Sequence, residues 1–148
     1  MAWQADVIGQ GKVINGEDAQ KNWTKYLDSA LRQPVVVEHS GEKFLTISLD
    51  QLKDSVPFTL VFNQEVSGGS HLYFSEVPQA IGYGEDIEEA KIDFCYVLMD
   101  YAAIYMEDFE KHLEAPNLKG QLLQMVILYY MSREELVRFI EGKLEAYI

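Results

Sequence analysis

The feature that most restricts the fold of this chain is an amphipathic segment of unusual length, residues 87–113. Its apolar residues recur at helical spacing on two stripes, one from Ile87 to Ile104 and one from Cys95 to Phe109. At 1.5 Å per residue, a helix of this length would extend about 40 Å. Because two apolar stripes need two neighbours, we expect this helix to pack on its own sheet and on a second element.

Three short predicted strands precede this helix. Residues 58–62 and 72–74 are β-rich segments on either side of a glycine turn, and residues 80–83 form a third. Asp86 and Glu89 have the spacing of a capping box, which predicts that the helix begins between them. These features predict an antiparallel sheet covered by one long helix.

The segment after Pro116 contains an almost continuous apolar run at residues 122–131. We interpret it as a buried helix, although a strand is also open because periodicity does not separate the two. Ser132 and Glu135 predict a capping box for a final helix that ends near Leu144. Because residues 122–131 offer no polar face, we expect a homodimer that buries this run and the long helix.

The first third of the chain predicts a smaller unit. Residues 15–32 have the pattern of one amphipathic helix, residues 35–47 that of a hairpin, and Leu49 begins a short helix. Residues 7–8 and 13–14 are candidates for an opening strand or hairpin. The predicted buried face of the first helix comprises Ala19, Trp23, Tyr26, Leu27, Ala30 and Leu31. Pro57 restricts the backbone of Val56, so we place the domain boundary there.

The charge distribution separates the two parts. The formal net charge is −12, of which residues 58–148 contribute −10 through 6 Lys/Arg and 16 Asp/Glu. This balance argues against a general polyanion binder and favours a basic protein partner, although such acids can also serve only to keep a surface soluble. The single cysteine, Cys95, excludes an internal disulfide and favours a cytoplasmic protein. No apolar run is long enough to form a membrane-spanning helix, so we expect that the protein does not associate with a membrane.

Catalytic and metal-binding patterns are weak. His39, His71 and His112 have no second ligand at a metal-binding spacing, and Cys95 lies on an apolar stripe. The acids around Asp86 could hold a divalent ion, but their position favours a role at the helix terminus. We therefore expect no enzyme, no metal and no cofactor.

Residues 12–55 resemble the Phd/YefM (prevent-host-death) antitoxin family. The resemblance is carried by A-Q-K-N-W at residues 19–23, P-V-V-V-E-H-S-G-E-K at 34–43 and L-D-Q-L at 49–52. It implies a dimer that binds operator DNA through arginines of the first helix and the hairpin. Gln20 and His39 or Ser40 stand at those positions, which predicts weak binding. The lysines that could contact phosphates are Lys12, Lys21, Lys25 and Lys43.

Residues 58–90 resemble the HicB antitoxin family. The most specific match is G-Y-G-E-D-I-E-E-A at residues 82–90, after Y-F-S-E-V-P at 73–78. Its glycines would allow a tight turn from strand to helix. The resemblance implies neutralisation of a small basic RNA-cleaving toxin. Together with the acidic balance, it gives the partner-binding candidates Tyr73, Tyr83, Glu85, Glu88, Tyr105, Glu107 and Glu110, with His71, Asp108 and Glu114 beside them.

The sequence thus predicts an α+β protein of two modules. Residues 1–56 form a Phd-like β-α-β-β-α unit, and residues 57–148 form a HicB-like three-stranded antiparallel sheet with a long helix and two C-terminal helices. The expected function is that of a non-catalytic, antitoxin-like regulator in a toxin–antitoxin system. The alternative is a dimeric interaction or scaffold protein without a toxin or DNA partner.

Overall fold

The structure, a computed structural model, describes residues 13–115 and 118–147. It is an α+β fold with two three-stranded sheets. The chain divides into two compact units, residues 1–55 and 56–148. The division falls one residue before the predicted boundary, and the assignment of the two units to separate modules stays a prediction. Residues 7–8, proposed as part of an opening strand, lie outside the described residues.

The first unit is a sheet with helices on its crossover. Its elements are β1 (Val13–Asn15), α1 (Gly16–Lys21), α2 (Trp23–Arg32), β2 (Val35–His39), β3 (Glu42–Thr46) and α3 (Leu49–Ser55). The strand order is β1-β2-β3, with β1 parallel and β3 antiparallel to β2. A small core is formed by Ile14, Ala19, Tyr26, Ala30 and Val35.

The helix predicted over residues 15–32 is wrong in one respect, because it breaks at Asn22. The Asn22 backbone leaves the helical region, and its side-chain amide donates to the carbonyl of Asp18 at 3.2 Å. Asparagine favours such local bonds over helix continuation. The predicted buried face is also only partly correct, since Trp23, Leu27 and Leu31 are exposed.

The predicted hairpin is confirmed, with a two-residue turn at Ser40 and Gly41. Both residues have positive φ, 52° and 80°, as a type I′ turn requires. The turn fixes the register that pairs His39 with Glu42 and Val37 with Phe44.

The second unit has a sheet, one long helix and a helical C-terminal part. Its elements are β4 (Leu60–Gln64), β5 (Ser70–Phe74), β6 (Val77–Gly84), α4 (Ile87–Glu107), α5 (Phe109–Glu114), a 3₁₀ turn (Lys119–Gln121), α6 (Leu122–Tyr129) and α7 (Arg133–Tyr147). All neighbouring strands are antiparallel in the order β4-β5-β6, which confirms the predicted sheet. One face of the sheet packs on α4.

The two glycines of β6 allow the sheet to approach α4 at backbone distance. A Cβ atom at Gly82 would lie 2.5 Å from the backbone of Phe94, and one at Gly84 would lie 2.3 Å from the nitrogen of Ala90. Neither glycine has positive φ. We expected these glycines to allow a tight turn from strand to helix, and this explanation was wrong. Their role is to allow close packing between β6 and α4.

The long helix is shorter than predicted. It ends at Glu107, because Asp108 adopts a non-helical backbone, and α5 begins one residue later. The ring of His112 lies 3.1 Å from the carbonyl oxygen of Tyr105 and stacks on the Tyr105 ring. The His112 ring thus provides a hydrogen-bond partner for one of the last carbonyl groups of α4, which have no partner within a helix.

The apolar run after the 3₁₀ turn is a helix, as expected, and not a strand. Met125, Ile127 and Leu128 are buried within the second unit, and Gln124 is buried with its amide donating to the carbonyl of Pro57 at 3.2 Å. Because α4 of the same unit packs against this run, its buried part needs no second copy, whereas Leu123, Tyr129 and Tyr130 remain exposed and the homodimer stays a prediction. The Ser132–Glu135 capping box is confirmed by both of its hydrogen bonds.

Candidate functional site

The candidate DNA contacts of the first unit are exposed wherever they are described. Gln20, Lys21, Lys25, His39 and Lys43 all lie at the surface. Lys12 lies outside the described residues. Surface exposure is necessary for phosphate contacts, but it does not by itself assign them.

Gln20 of α1 and His39 of β2 lie together. They border one open cavity of about 380 Å³, whose apolar lining includes Trp23, Val37 and Phe44. The start of α1 packs closely on the end of β2, because a Cβ atom at Gly16 would lie 3.3 Å from both the Glu38 carbonyl oxygen and His39 Nδ1. The two positions where the resemblance expects arginines are therefore neighbours.

Lys43 is separated from this pair. The hairpin register places it opposite Glu38, whereas His39 follows in the alternation and lies on the other face of the sheet. An opposite charge directly across a strand pair offsets the positive charge of the lysine. This geometry reduces the local basic character that phosphate contacts need.

Tyr73 and Tyr83 lie on the face of the second sheet that points away from α4. Leu72 and Phe74 of β5 are buried against the helix, so the alternating residues His71 and Tyr73 lie on the opposite face. The His71 ring stacks on Tyr73 with 6.3 Å between the ring centroids, and it lies tilted against Tyr83 with 5.7 Å between the centroids. These three rings form one partly exposed aromatic cluster.

Glu85 and Glu88 flank the start of α4. The helix is capped by Asp86, whose side chain accepts from the backbone N–H of Glu89 at 2.9 Å, as the sequence predicts. Glu88 forms an ion pair with Lys91 at 3.0 Å, and Lys91 also lies 3.5 Å from Glu141. The hydrogen bond with Glu88 raises the pKa of Lys91, against the opposing effect of burial. Glu88 is therefore engaged within the unit.

Tyr105 was wrongly proposed as a partner contact, because it is a core residue. Its side chain is 2% exposed, and its hydroxyl donates to the Leu118 carbonyl at 3.3 Å. Burial raises the pKa of Tyr105. The apolar stripe that contains it faces the interior of the unit, which leaves no surface for a partner to reach.

Glu107 and Glu110 are exposed but lie far from Glu85 and Glu88. The two pairs flank opposite ends of α4, and the 20-residue separation between Ile87 and Glu107 corresponds to about 30 Å along the helix. The structure therefore does not bring the proposed partner-binding acids into one cluster.

Cys95 is buried in the core, as the sequence predicts. Burial raises the pKa of its thiol, although Arg133 and Lys91 act in the opposite direction. Within residues 13–115 and 118–147, no group of three or more His, Cys, Asp or Glu side chains could hold a metal ion. Among the described helices, none has the length and hydropathy that crossing a membrane requires.

A third apolar stripe on α4 was missed at the sequence level. Ile92, Tyr96, Met99 and Ala103 are all exposed, at the spacing i, i+4, i+7 and i+11. The spacing itself was the available signal. It was overlooked because the two other stripes already accounted for a helix packed on two neighbours.

A comparison with protein-family models identifies the class of protein. One family model, PHD-like, described as "Antitoxin of toxin-antitoxin, RelE / RelB, TA system", matches residues 11–140 and so extends over both units. No curated protein matches the chain.

A crystal structure from Syntrophomonas wolfei subsp. wolfei, described as an antitoxin part of a proposed toxin/antitoxin system, has a similar fold. The TM-score is 0.66 at 23% identity, and the match covers 85% of this chain and 94% of that one. Because the family model spans most of the chain, this protein belongs to the PHD-like family of antitoxins.

Proposed function

We propose that the chain is the antitoxin of a toxin–antitoxin pair and acts by binding, without catalysis, in the cytoplasm. The observation that carries this proposal is the surface of the second unit, where exposed apolar side chains stand among acidic ones. Residues 58–148 contribute −10 to the net charge, and Ile92, Tyr96 and Tyr83 are exposed in the same unit. Apolar anchors supply affinity, whereas charges supply the rate of encounter.

The proposed partner is a small basic protein. The family description names RelE, which supports a RelE-type toxin as the partner of this chain. Charge complementarity supports the same choice, because an acidic surface accelerates encounter with a basic one. The proposed contacts are Tyr73, Tyr83, Glu85, Glu88, Glu107 and Glu110, without the buried Tyr105.

The test is a binding experiment with the product of the neighbouring reading frame, which we expect to be a short basic protein. The two proteins are co-expressed, purified through a tag on one of them, and studied by stopped-flow association at low and high salt. We expect a stable complex whose association slows with salt and with charge reversal at Glu107 and Glu110. An absent complex, or a rate that salt and charge reversal leave unchanged, would contradict the proposal and favour a scaffold protein.

A homodimer is also proposed, with its interface on the first unit. Both Phe44 and Leu45 of β3 are exposed, at 54% and 65%, although they are neighbours in one strand and lie on opposite faces. Trp23, Leu27 and Leu31 add an exposed stripe on α2. A second copy is the proposed occupant, because the resemblance to Phd/YefM modules implies dimerisation and this unit leaves much of its apolar surface open.

Operator binding by the first unit is proposed to be weak. Exposed Lys21 and Lys25 support phosphate contacts, whereas Gln20 and His39 stand where the resemblance expects arginines. We further propose that the second unit is HicB-like, which agrees with its antiparallel sheet and the glycine-rich approach to a long helix.

A further inference from the structure

The exposed stripe of α4 is continuous over more than half of the helix. Ile92, Tyr96, Met99 and Ala103 extend over about 16 Å of helix, at 1.5 Å per residue. Ile92 is 55% exposed and Met99 37%. An apolar stripe of this spacing is the surface that a helix presents to another helix.

An acidic row runs along one side of this stripe. At 100° per residue, Glu89, Asp93, Asp100 and Glu107 fall within about 40° of one another, next to Tyr96 and Ala103. Glu89, Asp100 and Glu107 are exposed, and Asp93 is half-buried. Among the described residues, none of the four takes part in an ion pair. Glu89 and Asp93 accept the backbone N–H groups of Glu85 and Tyr83 at 3.0 and 2.8 Å.

The acidic row indicates which kind of partner fits the apolar stripe of α4. A second copy of α4 would bring a second row of four carboxylates into the same interface, and like charges at close distance are unfavourable. A partner helix with lysines or arginines beside its own apolar stripe would meet opposite charges. The stripe lies between the two ends of α4, which are about 30 Å apart, and exposed Glu85 and Glu107 are found near the first and the second end.

We propose that this face of α4 binds a basic amphipathic helix of the partner protein. The inference rests on the proposed antitoxin function and adds to it the location and chemistry of the contact. Ile92, Tyr96 and Met99 are the apolar anchors. Arg133 holds the Tyr96 ring through a cation–π contact, with its guanidinium carbon 4.7 Å from the ring centroid.

The test uses the full chain and a fluorescein-labelled 18-residue amphipathic peptide with a leucine stripe and four lysines along one side. Binding is measured by fluorescence anisotropy at about 50 and about 200 mM salt. We expect binding that weakens with salt, and that the double variant Ile92→Ser/Met99→Ser weakens it by about tenfold or more, as loss of central apolar anchors does. A matched peptide with glutamates in place of the lysines should not bind.

Ile104→Ser is the control variant. Ile104 is on the same helix and 58% exposed, but it lies about 120° around the axis from Ile92. We expect it to change the affinity less than twofold, which is within ordinary variation for a surface change. Asp100→Lys provides a second, charge-based variant, and it should weaken binding and reduce its salt dependence.

Three results obtained without the toxin would overturn the inference. These are absence of peptide binding, an equal effect of the Ile104→Ser control, and dissociation of a wild-type oligomer by Ile92→Ser/Met99→Ser, which would assign the face to a second copy. The proposed function fails separately. If the neighbouring-frame protein binds this chain with unchanged affinity after Ile92→Ser/Met99→Ser, only the inference is wrong, whereas peptide binding without toxin binding would contradict the antitoxin role.

Discussion

A Cβ atom added to Gly82 of β6 would lie 2.5 Å from the backbone of Phe94 in α4. Real Cβ atoms do not approach backbone so closely, so sheet and helix would have to separate. We predict that Gly82→Ala lowers the free energy of unfolding by about 1–3 kcal/mol, as overpacking of a core does. Urea denaturation followed by circular dichroism measures this change.

Gly142→Ala is the matched control for that prediction. Gly142 lies inside α7, and a Cβ atom there would meet nothing within 4 Å. Because alanine is the better helix former, we expect this variant to gain about 0.5–1 kcal/mol of stability. Equal effects of the two substitutions would show that α4 and β6 do not pack as described.

The folded state should lose stability at alkaline pH. Burial raises the pKa of Cys95 above the ordinary value of 9.0 for a thiol, and it raises the pKa of Tyr101 and Tyr105 above the ordinary value of 10.0 for a phenol. As the pH rises, the unfolded chain therefore releases these protons at a lower pH than the folded protein does. Stability is then fully present below about pH 9 and falls as the pH rises through the raised values. Urea unfolding at a series of pH values measures the fall, which should be smaller in Cys95→Ala. Stability that rises above pH 9 would contradict the burial of these groups.

The dimer interface can be assigned by paired surface variants. We predict that Phe44→Ser/Leu45→Ser converts a homodimer into a monomer, because both side chains are exposed in the first unit and would be covered by the second copy. The control is Leu123→Ser/Tyr130→Ser, which removes exposed side chains of the α6 region. Analytical ultracentrifugation at micromolar concentration measures the mass. Dissociation by the α6 pair alone would place the interface on the second unit.

DNA binding should be weak and sensitive to salt. With about three phosphate contacts, the affinity is expected to fall about tenfold or more between 50 and 200 mM salt. Gln20→Arg/His39→Arg should strengthen binding, since both positions border the same cavity. A gel-shift titration with the DNA upstream of the reading frame measures the effect. Salt-resistant binding by the wild type, or no gain in the double variant, would count against this docking mode.

Local signals predicted the beginnings of helices well. Asp86 and Ser132 both cap the helices that their spacing with a later glutamate indicates, because a capping box depends on residues close in sequence. The Ser40–Gly41 turn was predictable for the same reason. The helix ends at Asn22 and Asp108 were not predicted, since neither is marked by glycine or proline and the apolar periodicity continues past both residues.

Burial was harder to predict than secondary structure. Tyr105 and Trp23 are both aromatic residues on amphipathic helices, yet Tyr105 is buried and Trp23 is 56% exposed. Periodicity identifies an apolar face but not the element that covers it. The same limit explains why the α4 stripe was overlooked.

The most direct test of the antitoxin function is a growth assay. The product of the neighbouring reading frame, which we expect to be the basic toxin, is induced in cells that carry this chain, the Ile92→Ser/Met99→Ser variant, the Ile104→Ser control or an empty vector. We predict that toxin induction arrests growth with the empty vector, that the wild-type chain and the control restore it, and that the stripe variant restores it less. Growth arrest that the wild-type chain does not relieve would contradict the account.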